Sequence, residues 1–121
     1  MKMNFKNTQG FEKDLKKLFK KFQSFDDDLI EFKKVLSESP LGIGKHFNVI
    51  TEINHVYIIK ARFFCRSLKK KNLRIIYAYI KEEKKIEFIE MYFKGNKENE
   101  NRERTKQYLK SFIKIAKKEI F

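Results

Sequence analysis

Residues 47–93 read FNVITEINHVYIIKARFFCRSLKKKNLRIIYAYIKEEKKIEFIEMYF, and this stretch decides the fold. It is rich in β-branched and aromatic residues, and its apolar positions alternate with a period of two that is typical of strands. Breaks in the pattern divide it into four predicted strands, Phe47–Ile53, Val56–Cys65, Leu73–Lys81 and Ile86–Phe93. The connections between them are short, so neighbouring strands should be antiparallel. We therefore predict a four-stranded antiparallel meander.

The segments on either side of this stretch have the 3.6-residue period of helices. A first helix over residues 8–22 has Thr8 as its N-cap and one apolar stripe, which comprises Phe11, Leu15, Leu18, Phe19 and Phe22. Ser24 and Asp27 resemble a capping box before a second helix, which ends before Pro40. A final helix is predicted over roughly residues 99–119. The order ααββββα predicts a single α+β domain over residues 1–121.

Charge is the strongest compositional feature. The chain has 121 residues, of which 41% are apolar and 15% aromatic, so it can build a core of its own. Lys and Arg number 29 against 16 Asp and Glu, which gives a formal net charge of +13. Such an excess predicts a polyanionic partner, nucleic acid or an anionic membrane surface. The alternative is a compositional bias, since an AT-rich genome enriches lysine without selection for binding.

Cysteine content and hydropathy bound the cellular compartment. The single cysteine, Cys65, excludes an internal disulfide and a zinc site built on cysteines. No apolar run approaches the roughly 20 residues of a membrane span, and the N-terminus lacks the apolar stretch of a signal peptide. We expect a soluble cytoplasmic protein without a membrane partner.

The two faces of the predicted sheet differ in character. Along the second strand one face is apolar, with Tyr57, Ile59, Ala61, Phe63 and Cys65, and the first two helices should cover it. The opposite face is mixed, with Val56, Ile58, Lys60, Arg62 and Phe64. If the next hairpin is centred near Lys69, then Ile76, Ala78 and Ile80 extend this face. An open apolar patch is unusual in a monomer, so either the last helix or a partner should cover it.

Metal and nucleophile chemistry have little support in the sequence. His46 and His55 lack acidic or cysteine neighbours at metal-ligand spacing, and Cys65 ends a strand that we expect to be buried. Gly42 and Gly44 do not form a phosphate-binding loop. We expect no metal and no cofactor.

Cations within the predicted strands are more informative than those on the helices. Lys60, Arg62 and Arg74 interrupt apolar strands, where an unpaired charge costs stability unless it has a use. Lys69, Lys70 and Lys71 lie on the adjacent hairpin, and Lys94 follows the fourth strand. This cluster suits phosphate, for which arginine offers a bidentate fork. The alternative is a strand surface of ion pairs with Glu87 and Glu90.

Three segments together resemble toxins of the RelE/ParE superfamily. They are VYIIKAR (56–62), LRIIY (73–77) and FIEMYFKGNKEN (88–99), preceded by a helical pair and an SPLG loop. The resemblance implies a RelE-like fold and a toxin of a bacterial type II toxin–antitoxin pair. RelE-like members cut mRNA in the ribosomal A site, whereas ParE-like members bind DNA gyrase without nuclease chemistry.

The resemblance also implies roles for particular residues. Lys60 matches an active-site lysine, Arg74 a phosphate-binding arginine and Lys94 the basic residue after the last strand. We expect the other candidates to bind RNA, namely Arg62, Lys69, Lys70, Lys71 and Tyr92. The partners implied are the ribosome, mRNA and an acidic antitoxin that contacts the Lys60–Arg74 region or displaces the last helix.

The cleavage chemistry assigns tasks to these side chains. The RNA 2′-hydroxyl attacks the adjacent phosphorus, and cations such as Arg74 and Lys94 would stabilise the phosphorane. Lys60 could act as the base only if neighbouring cations such as Arg62 lowered its pKa. Protonation of the leaving group has only Tyr92 as a candidate. A gyrase inhibitor or an inactive basic RNA-binding relative remain alternatives, favoured by Ile58 where the family pattern has a second lysine.

Overall fold

The computed structural model describes residues 2–20, 24–42, 44–67, 73–95 and 99–120, with side chains described as far as Phe112. Within these residues the chain is an α+β fold with three helices and one five-stranded sheet. The elements in chain order are β1 (Asn4–Asn7), α1 (Gln9–Phe19), α2 (Phe25–Glu38), β2 (Phe47–Ile53), β3 (Val56–Phe63), β4 (Leu73–Ile80), a 3-10 turn (Lys81–Glu83), β5 (Lys85–Phe93) and α3 (Arg102–Ile120). The strands lie in the order β1-β5-β4-β3-β2.

The antiparallel meander is confirmed for β2 to β5, but the prediction of a four-stranded, purely antiparallel sheet is wrong. β1 pairs in parallel with β5, from Asn4 opposite Lys85 to Asn7 opposite Phe88. The sheet is therefore mixed, and a strand precedes the two helices that were expected to come first. This short, polar segment has little strand propensity of its own; it extends because the open edge of β5 offers backbone partners and because the ring of Phe5 stacks on Phe88, with centroids 6.0 Å apart.

The start of α1 is confirmed and the start of α2 is built differently from the prediction. The Thr8 hydroxyl accepts a hydrogen bond from the Phe11 amide at 3.2 Å and donates one to the Phe88 carbonyl at 3.0 Å, so it caps α1 and fastens it to β5. The capping box expected before α2 is wrong. The Ser24 side chain makes no cap hydrogen bond; it donates to the Asp28 carboxylate at 2.8 Å instead. The predicted stripe residue Phe22 lies outside the described residues.

Two hydrophobic clusters lie on opposite faces of the sheet. The larger one is covered by α1 and α2, as predicted, and includes Phe11, Leu15, Phe25, Leu29, Leu36, Ile59, Ala61, Phe63, Cys65, Leu73, Ile75, Tyr77, Ile86, Phe88 and Met91. The smaller one comprises Val56, Ile58, Ile76, Ala78, Ile80, Ile89 and Tyr92. Burial of this apolar area from both sides is the main source of stability.

Helix α3 covers part of the second face of the sheet. Of the two expected covers for this face, the last helix and a partner, the helix is the one that the structure shows. Tyr108, Leu109 and Phe112 pack against the smaller cluster. Arg104 binds Asp14 of α1 with 2.7 Å between Nη1 and Oδ2, which ties α3 to the other layer. In the described part of the chain, no helix combines the length and apolar content that crossing a bilayer requires.

Candidate functional site

A β-bulge at Ile50 turns the start of β2 toward the cationic face of the sheet. The two-residue turn after β2 sets the register of the pairs from Thr51 to Ile53. Ile50 is an extra residue without a partner on β3, so the register is shifted by one residue for Val49 and the residues before it. Asn48 consequently lies opposite Lys60, and the Arg62 amide donates to the His46 carbonyl at 3.0 Å. Without the bulge, His46 and Asn48 would point to the helix-covered face, since a shift of one residue reverses every side chain.

A second irregularity does the same for β5. The pairing of β4 with β5 shifts between Ile76 and the next residue, which leaves Ile89 as the extra residue. Tyr92 then lies opposite Arg74, and Glu90 lies opposite Ile76. Bulges in the two strands that flank β3 and β4 thus bring polar side chains from β2 and β5 beside the cations of β3 and β4.

The cations line a small cavity on this face, which we call the cationic pocket. Its volume is about 120 Å³, and its walls are Lys45, His46, Asn48, Lys60, Ala61, Arg62 and Arg74. Small-molecule sites usually have roughly 300–1,000 Å³, so this pocket suits a single anionic group better than a whole ligand. None of the described residues that line it is acidic. The described walls of the pocket therefore carry positive charges and no negative one.

Arg74 is the most deeply placed of these cations. Its exposure is 9%, Arg62 lies directly opposite it, and among the described residues its Nη1 donates only to the Leu73 carbonyl at 3.4 Å. Burial, and then the charge of Arg62, lower the pKa of the Arg74 guanidinium. No described carboxylate lies within ion-pair distance of it. A buried guanidinium without a counter-charge is costly, so Arg74 is suited to receive an anion from outside.

Lys60 has a partner within the protein. Its Nζ donates to Glu100 Oε2 at 3.1 Å, and Glu100 lies just before α3 with a nearly buried side chain. Burial alone lowers the pKa of Lys60, but the hydrogen bonds with Glu100 and Tyr92 outweigh it and raise the pKa above its ordinary value. The condition for Lys60 to act as a base is therefore not met. Lys60 is a cation that can attract a phosphate oxygen.

The remaining predicted site residues divide into three groups. Tyr92 is buried beside Lys60 and Arg74, and burial raises the pKa of its phenol. Lys94 lies in the exposed turn after β5 and is not part of the cationic pocket, so its role stays a prediction. Lys69, Lys70 and Lys71 lie outside the described residues. Of the proposed alternative partners, Glu87 binds Lys85 and the Tyr108 hydroxyl, at 3.5 and 2.9 Å.

Four residues of the site were missed in the sequence. Lys45, His46 and Asn48 enter the pocket only because of the bulge at Ile50, which the alternation of residue types does not reveal. Glu100 fell at the start of the predicted final helix and was given no role in the site. A weak signal did exist, because an acid at the start of a helix is stabilised by the helix dipole, but this does not place Glu100 beside Lys60.

Comparison of this chain with protein-family models, with curated proteins and with solved structures finds no match in any of the three.

Proposed function

We propose that this protein is a RelE/ParE-like toxin that cleaves mRNA on the ribosome, with the scissile phosphate bound in the cationic pocket. The observation that carries this proposal is Arg74, a guanidinium with 9% exposure and no described carboxylate partner, in a pocket that it shares with Lys60 and Arg62. A phosphodiester supplies the missing negative charge, and an arginine pair can bind its oxygens in a bidentate manner.

The pocket residues support a division of tasks in the cleavage reaction. The 2′-oxygen attacks phosphorus, and the negative charge on the non-bridging oxygens grows in the phosphorane. Arg74 and Arg62 stabilise this charge, and the burial of Arg74 strengthens its contact with the phosphate oxygens. Lys60 adds a third cation, because its pKa is raised. Alignment of the RNA would come from the ribosome, since the pocket is too small to grip a nucleotide.

The net charge supports the same class of partners. A net charge of +13 attracts the phosphates of ribosomal RNA and mRNA. Lys94 and Lys69–Lys71 would add to this attraction. An acidic antitoxin is the proposed inhibitor. A carboxylate of this partner would occupy the pocket as the phosphate does, so binding of the antitoxin and of RNA would be mutually exclusive.

A second candidate function is inhibition of DNA gyrase without nuclease chemistry. The pairing of Lys60 with Glu100 favours it, because a lysine held in an ion pair can serve the fold alone. Apolar side chains at Ile30, Val35 and Phe64 are exposed by 53%, 46% and 59%, and such side chains suit a protein partner. An inactive RNA-binding relative would keep the pocket and lack the cleavage.

Primer extension on a defined mRNA in a purified translation system distinguishes these functions. The wild type should produce discrete cuts that require ribosomes, and Lys60→Ala and Arg74→Ala should abolish them. Lys34→Ala is the matched control, because Lys34 is an exposed lysine on α2, the helix that covers the opposite face of the sheet. No cuts by folded wild type, together with loss of gyrase supercoiling activity, would replace the nuclease proposal with the second one.

A further inference from the structure

We propose that His46 is the general acid that protonates the leaving 5′-oxygen during RNA cleavage. This inference rests on the proposed function and names the residue for the proton transfer that the strand cations do not explain. The His46 side chain lines the same cavity as Lys60, Arg62 and Arg74. A phosphate held by those cations would therefore be adjacent to the imidazole.

The side chains that the strands contribute to the cationic pocket are poor proton donors at neutral pH. Arginine stays protonated there, so Arg62 and Arg74 can bind a phosphate oxygen but do not exchange a proton with it. Lys60 is held as a cation by Glu100 and Tyr92. Asn48 does not titrate. Imidazole is the side chain that can both give and regain a proton near neutrality, and His46 is the described wall residue of this type.

The imidazole of His46 packs against a neighbouring ring, and among the described residues its nitrogens accept and donate no hydrogen bond. Its ring meets the ring of Phe64 edge to face, with centroids 5.4 Å apart and planes at 84°. Its backbone is fixed by the hydrogen bond from the Arg62 amide at 3.0 Å. A fixed ring with free nitrogens beside an anion site is the geometry that a general acid requires.

The step can be written with every proton placed. The 2′-oxygen forms a bond to phosphorus while its proton passes to water. The P–O5′ bond then breaks, its electron pair goes to the 5′-oxygen, and the imidazolium of His46 donates a proton to that oxygen. The products are a 2′,3′-cyclic phosphate and a free 5′-hydroxyl, and neutral His46 regains its proton from solvent.

A leaving-group test isolates this role. Two mRNAs are compared in single-turnover cleavage on stalled ribosomes, one natural and one with sulfur in place of the 5′-bridging oxygen at the cut. A thiolate leaves without protonation, because thiols ionise near pH 8.5. His46→Gln should slow cleavage of the natural mRNA by about 10²- to 10⁴-fold, the usual contribution of acid–base catalysis, and cleave the sulfur mRNA at close to the wild-type rate.

His55→Asn is the matched control, because His55 is the other histidine of the chain and lies in the exposed turn between β2 and β3. It should behave as wild type on both mRNAs. Folding of His46→Gln is checked by its urea unfolding curve and its binding of inorganic phosphate, which should be retained. Wild-type cleavage of the natural mRNA by His46→Gln, or an equal loss on both mRNAs, would overturn the inference while leaving the nuclease intact. If wild type cuts neither mRNA, the proposed function fails and the role of His46 fails with it.

Discussion

Arg74→Met should make the free protein more stable while removing its ability to bind phosphate. The Arg74 guanidinium is 9% exposed and faces Arg62, and within the described part of the chain it has a single long hydrogen bond, to the Leu73 carbonyl. The fold therefore bears the desolvation cost of a charge and gains little from it. Methionine has a similar length and an unbranched apolar chain, so it can fill the same space without the charge.

The size of this effect follows from the burial of Arg74. Replacement of a buried ion pair by apolar side chains of similar volume is often neutral or stabilising by about 1–4 kcal/mol, and an unpaired buried charge has less attraction to lose. The loss of one weak hydrogen bond offsets about 1 kcal/mol of that stabilisation. We therefore expect a gain of up to about 3 kcal/mol in the free energy of unfolding, and each kcal/mol raises Tm by roughly 4 °C in a chain of this length. Urea titration followed by circular dichroism measures it.

Arg104→Met is the matched control, because it makes the same replacement at a paired arginine. Arg104 contacts Asp14 at 2.7 Å and also donates to the Ile89 carbonyl at 3.0 Å. Its removal leaves Asp14 half-buried without its counter-charge and should cost about 1–3 kcal/mol. The two variants should thus change stability in opposite directions. A loss of stability in Arg74→Met equal to that in Arg104→Met would refute the reasoning, since Arg74 would then serve the fold.

Three further changes test other parts of the structure. Glu100→Gln should bind inorganic phosphate about fivefold more tightly in calorimetry, because it releases Lys60 from an ion pair worth about 1 kcal/mol; unchanged affinity would contradict the role of Lys60. Asp28→Asn should lose about 2 kcal/mol of unfolding free energy, because the carboxylate accepts two hydrogen bonds from Arg66. Burial raises the pKa of Asp28, but its hydrogen bonds outweigh burial and lower the pKa below 3.8 in the folded state. The loss of unfolding free energy should therefore be complete above pH 3.8 and should shrink as the pH falls through the folded-state pKa. Thr8→Ala should cost about 1 kcal/mol in urea titrations through loss of the α1 cap, and no change would mean that the cap is dispensable.

The architecture of β2 to β5 could be predicted because local signals agree with the fold there. The alternation around Lys60 identifies one apolar face, and the short connections impose antiparallel pairing. The register of the β3–β4 hairpin places Ile76 opposite Lys60 and Arg74 opposite Arg62, as the interpretation of the mixed face required. The grouping of these cations was therefore already present in the sequence.

The first strand could not be predicted because its cause is distant in the sequence. Asn4–Asn7 is polar and short, and it is a strand because β5 lies beside it, 81 positions further along at Lys85. Tertiary pairing of this kind overrides a weak local preference. The capping box before α2 was wrongly predicted because the Ser24 hydroxyl has other partners. It forms hydrogen bonds with Asp28 and with Ser67, which is distant in the sequence, and not with the helix amides.

The composition of the cationic pocket was only half predictable. Arg62 and Arg74 follow from strand alternation, whereas His46 depends on one inserted residue, Ile50, whose effect is to reverse the face of everything before it. The position of Glu100 beside Lys60 depends on the connection from β5 to α3. Bulges and connections are set by packing, and no periodicity in the sequence records them.

The most direct test of the central claim is single-turnover cleavage of an mRNA held in the A site of a stalled ribosome, with the end groups of the fragments identified. We expect the wild type to produce a 2′,3′-cyclic phosphate and a 5′-hydroxyl, and Arg74→Met to be slower by at least about 10²-fold, the usual cost of removing one group that stabilises a developing negative charge. The greater stability of the same variant would show that its fold is intact. Cleavage by Arg74→Met at the wild-type rate would contradict the assignment of the cationic pocket as the site of phosphate binding.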